Sequence, residues 1–170
     1  IKEENNTRGR NSLQYNSNLG VVSNSTGIDN EMEILKSSSI AIQAVKDLKL
    51  YTTYMSVGKV TDRLMYKTQP ISVDIDPVHL DMLNNSISLT ITREGKNYHV
   101  EGPGKAYAID KTFTALPAAL GTQTGVLTFM PNSSTPMKDG EKMSVRISPP
   151  KNVATGYAAG LSIAQSSKST

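Results

Sequence analysis

The sequence predicts an α+β domain: a mostly antiparallel sheet packed with one long helix near the N-terminus and a short later helix. Three observations carry this expectation. Apolar residues recur at three- and four-residue steps between Met32 and Leu48. Beyond Leu50 the pattern changes to short alternating runs of β-formers, one pair of which reads as a hairpin. Pro149-Pro150 then opens a second helical stretch. At 170 residues the chain is the size of one domain. Hydrophobic residues make up 37% and aromatic residues 5%, with no Trp and two Phe, so the expected core is aliphatic and modest.

Residues 1–28 read as a short initial strand, Ile1-Lys2-Glu3-Glu4, followed by a mobile loop rich in Asn, Ser and Gly from Asn5 to Gly27. A loop of that length inside a domain implies either function or disorder. Order is expected from Asp29 onward. Asn30 stands where a helix N-cap belongs, and Glu33 follows at the spacing of a capping box. Glu31 and Glu33 lie in the first turn, where the helix dipole favours negative charge. Met32, Leu35, Ile42, Val45 and Leu48 supply the buried stripe, and Lys46 and Lys49 suit the C-terminus. The Ser37-Ser38-Ser39 run has weak helix propensity and can divide the helix into two pieces there.

Strands are predicted at Tyr51–Val57, at Ile71–Ile75 after Pro70, and at Ser86–Thr92 paired with Tyr98–Val100 through the turn Arg93-Glu94-Gly95-Lys96. Val126–Met130 and Lys142–Ile147 follow. The helix after Pro149-Pro150 carries Val153, Ala154, Tyr157 and Ala158, and Leu161–Ala164 reads as a last strand. No run approaches the roughly 18–20 apolar residues that a membrane span needs. The chain begins at Ile1, which suggests a processed product or an excised piece whose membrane anchors, if any, lie elsewhere.

Several chemistries are weakly supported. A net charge of +3 from 18 basic and 15 acidic residues gives no nucleic-acid footprint. The absence of cysteine excludes disulfides, thiolate nucleophiles and Cys-ligated metals. Gly102-Pro103-Gly104-Lys105 looks like a phosphate loop, yet a P-loop needs Gly where His99 stands and Ser or Thr where Ala106 stands. It reads as a turn between strands. Asp74, Asp76, His79 and Asp81 crowd one stretch, but an EF-hand starting at Asp74 would need Gly at His79 and Glu at Asn85. A solvated strand face followed by a polar turn is the expectation. The two histidines, His79 and His99, have no nucleophile motif beside them and read as surface or edge residues. Four Asn-x-Ser/Thr sequons, at Asn5, Asn24, Asn84 and Asn132, stand against about two or three expected by chance from this composition and support no secretory claim. No catalytic residue, cofactor or metal is assigned, and the residues by themselves describe a non-catalytic α+β domain.

The segment Asp29-Asn30-Glu31-Met32-Glu33-Ile34-Leu35-Lys36-Ser37, followed by Val45-Lys46-Asp47-Leu48-Lys49-Leu50, closely resembles a stretch of the chain-length determinant (Wzz) family, in the form fused to bacterial tyrosine kinases of capsule and exopolysaccharide systems. Tyr66-Lys67-Thr68-Gln69-Pro70-Ile71, Leu116-Pro117-Ala118 with Gly125, and Ile147-Ser148-Pro149 leading to Val153-Ala154 and Tyr157 add to the likeness. Ile1-Lys2-Glu3-Glu4 resembles the end of the family's first periplasmic strand, and Asn5–Gly27 is the least family-like part.

The resemblance implies that residues 29–170 form the periplasmic base domain of an inner-membrane protein whose two membrane helices and helical extension lie outside this chain. It implies a homo-oligomer in the intact parent that regulates surface polysaccharide chain length and export. A polysaccharide polymerase and an outer-membrane export channel would be its partners, and any kinase activity would belong to a cytoplasmic part. Lateral contact between protomers is the work expected of the base. Glu31, Glu33 and Lys36 could pair across such an interface, or form an ordinary solvated helix face. The isolated piece is expected to be a monomer or weak oligomer, since it lacks the anchors that raise effective concentration. Two rivals remain. A carbohydrate-binding module would contact the growing glycan through Tyr51, Tyr54, Tyr66 or Tyr98, while a small hydrolase would need two titratable side chains meeting in a cleft.

Overall fold

A computed structural model of the chain describes residues 37–58, 61–103 and 109–160. They form an α+β arrangement of three helices and nine strands, with every strand pair antiparallel. In chain order these are α1 (Ser38–Asp47), β1 (Thr52–Ser56), β2 (Arg63–Met65), β3 (Ile71–Ile75) and α2 (Pro77–Asp81). The order continues with β4 (Ile87–Glu94), β5 (Asn97–Glu101), β6 (Asp110–Phe113), β7 (Ala118–Thr122), β8 (Gly125–Pro131), β9 (Lys142–Ile147) and α3 (Pro150–Ala159). One sheet has the order β2-β1-β9-β4-β5-β6 and the other β3-β8-β7.

Alternation explains how the sheets close on each other. In β3 the side chains of Ile71, Val73 and Ile75 are buried while Ser72 and Asp74 remain partly open, and β9 buries Met143, Val145 and Ile147 in the same way. Register places Leu89 opposite Val145 and Ile91 opposite both Met143 and Val100, so these residues share one face of the larger sheet. Phe129 of β8 meets Phe113 of β6 with ring centroids 5.3 Å apart, which joins the two sheets through one core. Each fully buried side chain of this set stabilises the fold by about 1.5–3 kcal/mol.

Helix α1 has ten residues and packs against α3, bringing Val45 and Ala154 into the core. The long helix expected from Asn30 to Lys49 is therefore corrected. Ser37 is extended, at φ −61° and ψ 127°, and caps α1, which starts within the serine triplet at Ser38. The predicted capping residues Asn30, Glu31 and Glu33, the initial strand and loop of residues 1–28, and the strand at 161–164 lie outside the described residues.

The C-terminus of α1 is a Schellman turn. Lys49 N–H donates to the Lys46 carbonyl at 3.0 Å and Leu50 N–H to that of Val45 at 2.9 Å. Lys49 occupies the left-handed position, φ 52°, where glycine is usual. The polar turn expected at Asp76–Asp81 is instead the five-residue α2, capped by Asp76, whose carboxylate accepts from the His79 N–H at 3.1 Å. Pro77 at its first position removes a donor that the helix start would leave unpaired.

Candidate functional site

The two sheets leave a seam where β1 and β2 of the larger sheet face β3 of the smaller one. An open cleft of about 310 Å³ lies there. Its walls come from the α1 terminus and following turn, from β1, from β2 and the turn after it, from β3, and from Tyr157 of α3. Residues far apart in the chain thus converge because α1 ends in a tight turn into β1 and α3 packs back along α1.

On the β3 side the cleft is held by two tyrosines. Among the described residues β3 is an edge strand, paired only with β8. Its exposed backbone is closed by Tyr54, whose hydroxyl accepts from Val73 N–H at 2.9 Å and donates to the Val73 carbonyl at 3.1 Å. The Tyr51 hydroxyl donates to Asp74 Oδ1 at 2.6 Å, and Lys49 forms an ion pair with the other oxygen of the same carboxylate. Burial pushes the Tyr51 hydroxyl well above the usual tyrosine value, reinforced by the hydrogen bond and negative charge of Asp74. Burial likewise raises Tyr54, a shift that its bond to Val73 partly opposes. Both phenols therefore keep their protons at neutral pH and act as hydrogen-bonding groups.

Other residues lining the cleft are aromatic and open to solvent. Tyr66 is 71% exposed, with Lys67 Nζ 5.3 Å from its ring centroid, and Tyr157 is 55% exposed. Leu48 and Leu64, which also line the cleft, are exposed as well. Lys67, like Lys49, has left-handed backbone, φ 59°, so two of the cleft residues hold a conformation that non-glycine residues rarely adopt. Two polar atoms of cleft-lining residues, Thr52 Oγ1 and Gln69 Oε1, are shut off from water and have no hydrogen-bond partner among the described residues.

Of the tyrosines named from sequence, the structure brings Tyr54 and Tyr66 to the cleft and sets Tyr51 behind Asp74. Tyr98 lies elsewhere, on β5, where Arg93 Nη1 donates to its hydroxyl at 2.7 Å. Tyr157, which the sequence places on the helix after Pro149-Pro150, has an exposed ring and lines the cleft. Glu31, Glu33 and Lys36 lie outside the described residues.

The histidines occupy other surfaces. His79 Nδ1 is 2.8 Å from Asp76, and the imidazole together with the backbone N–H groups of His79 and Val126 holds the Asp76 carboxyl below its ordinary value. His99 lies across β5 and β6, with Nδ1 3.1 Å from Thr112 Oγ1 and Nε2 3.0 Å from Glu101. Neither histidine lines the cleft. Among the described residues no three His, Asp or Glu side chains are grouped to hold a metal ion, and no helix is long and apolar enough to cross a membrane. No protein-family model matches the sequence, and no curated protein gives a significant match to it.

Proposed function

We propose that this chain is the periplasmic base domain of a Wzz-like polysaccharide co-polymerase, in an inner-membrane parent of the capsule or exopolysaccharide tyrosine-kinase type. One observation carries the reading: three of the family-like segments, far apart in sequence, meet in one place. Val45–Leu50 ends α1 and enters the cleft, Tyr66–Ile71 forms its opposite wall and leads into β3, and Ile147–Tyr157 runs from β9 through α3 against α1. Likeness in segments that pack together is what a shared architecture would preserve.

In this reading Glu31, Glu33 and Lys36, which lie outside the described residues, pair with a neighbouring protomer. The parent assembles laterally through such contacts and regulates the length and export of a surface polysaccharide, in concert with a polymerase and an outer-membrane channel. Deleting the parent gene and comparing the surface polysaccharide by electrophoresis tests this directly. A changed length distribution, restored by complementation, is expected, and an unchanged distribution would sink the reading. Charge reversal at Glu31 and Glu33 is expected to weaken assembly of the intact parent. Undiminished oligomers by cross-linking would remove the interface while leaving the rest.

The open Tyr66 and Tyr157 rings favour a second reading, in which the domain is a carbohydrate-binding module that touches the growing glycan itself.

A further inference from the structure

We infer that the cleft between β1–β2 and β3 is a saccharide subsite that holds one or two sugar rings of a chain, with Tyr66 and Tyr157 as its stacking faces. The choice of a sugar rests on the co-polymerase reading; the site itself rests on its geometry. A pyranose presents apolar C–H faces and a rim of hydroxyls, and the cleft offers the complement to both. Two exposed aromatic rings stand at its mouth, while an ion pair, threonines and a primary amide line its walls.

Other ligand classes fit less well. Lys49 is already matched by Asp74, which leaves Lys67, over the Tyr66 ring, as the one cation among the described lining residues without a carboxylate partner, where a phosphate site gathers several donors. The described residues hold no metal-ligand group, and an acyl chain would gain nothing from the polar walls. A volume of about 310 Å³ suits a small, partly enclosed ligand. Left-handed backbone at Lys67, φ 59°, lies away from any helix end and is local strain in a residue that lines the cleft.

The test is a titration of the isotope-labelled 170-residue chain with short oligosaccharides released by mild acid from the source bacterium's own surface polysaccharide, followed by amide chemical shifts. Shifts confined to the cleft residues are expected. Tyr66→Ala and Tyr157→Ala should each weaken binding by about tenfold. Both rings are exposed, so both variants should keep the fold, and Val78→Ser on α2 is a surface control that should bind normally.

Absence of shifts at millimolar oligosaccharide, or equal affinity in both tyrosine variants, would overturn the subsite. So would cleft shifts that follow protein concentration without sugar, since the cleft would then be a contact between copies of the chain. Failure here with an altered polysaccharide length in the gene deletion leaves the co-polymerase reading intact. Binding at the cleft with no change in the deletion does the reverse.

Discussion

At the scale of single residues, Tyr54 joins the two sheets at their seam. Its hydroxyl serves both the N–H and the carbonyl of Val73, so Tyr54→Phe leaves two partly buried backbone groups without partners while changing almost no volume. A loss of about 2 kcal/mol is expected. It should appear as a lower urea midpoint with an unchanged slope. A midpoint equal to the parent's would show that water replaces the phenol at that edge. Sequence reading named Tyr54 and Tyr66 as candidate platforms but could not assign their roles. Tyr54 bears on backbone and Tyr66 on open space, a difference set by partners 19 residues away in one case and by their absence in the other. Tyr157 was missed because its spacing from Val153 and Ala154 matches a helix face turned inward.

Elements show where local chemistry overrides pattern. The Schellman turn that ends α1 places Lys49 where glycine would be relaxed, at φ 52°. Lys49→Gly should therefore stabilise the fold by about 0.5–1 kcal/mol, since the ion pair it forfeits involves an exposed lysine and contributes little. Thermal unfolding checks the sign, and a lower Tm would mean that the Lys49–Asp74 pair outweighs the backbone strain.

Gly125 at the start of β8 is the opposite case, a glycine that cannot be replaced. It has φ +121°, and a Cβ there would lie 2.6 Å from Cβ and Cγ of His79 and 2.9 Å from Asp76 Oδ2. Gly125→Ala is expected to cost about 3 kcal/mol by forcing α2 away from β8. Loss of the His79–Asp76 contact, read from the imidazole resonances, would accompany it.

The strands legible from sequence are β1 and β5, from their β-forming residues and the hairpin turn, and β3, β4, β8 and β9, whose one buried face imposes alternation on the residues. Those missed, β2, β6 and β7, lie at sheet edges or carry small side chains, and their burial is too shallow to leave a period. Helix α2 is shorter than two helical turns, so only its Asp-Pro start could have announced it.

Over the whole molecule the cleft depends on two neutral phenols, which makes stability sensitive to alkali. In the unfolded chain Tyr51 and Tyr54 lose their protons near pH 10, whereas the folded state holds both to higher pH. Their contribution is complete below about pH 10 and is lost as pH rises through the folded values, because the unfolded state alone releases protons first. The urea midpoint should therefore be level between about pH 7 and 9 and fall by about pH 11, with a shallower fall in Tyr51→Phe. An identical decline in that variant would assign the effect to other groups. Asp76 acts at the acid end. Its carboxyl is held low, so its contribution is present above the ordinary carboxylate value and disappears as pH falls through the folded one.

The hydroxyl of Tyr54 also bears on solubility. An edge strand with free amides can template pairing with another chain, and proteins usually block this with charge, proline or a covering segment. At the centre of β3 the block is a single phenol that occupies both hydrogen-bonding sites of Val73. Loss of that oxygen would open an apolar strand, Ile71–Ile75, to strand addition. Concentrated solutions of the phenylalanine variant should then form thioflavin-positive aggregates under conditions in which the parent chain stays clear.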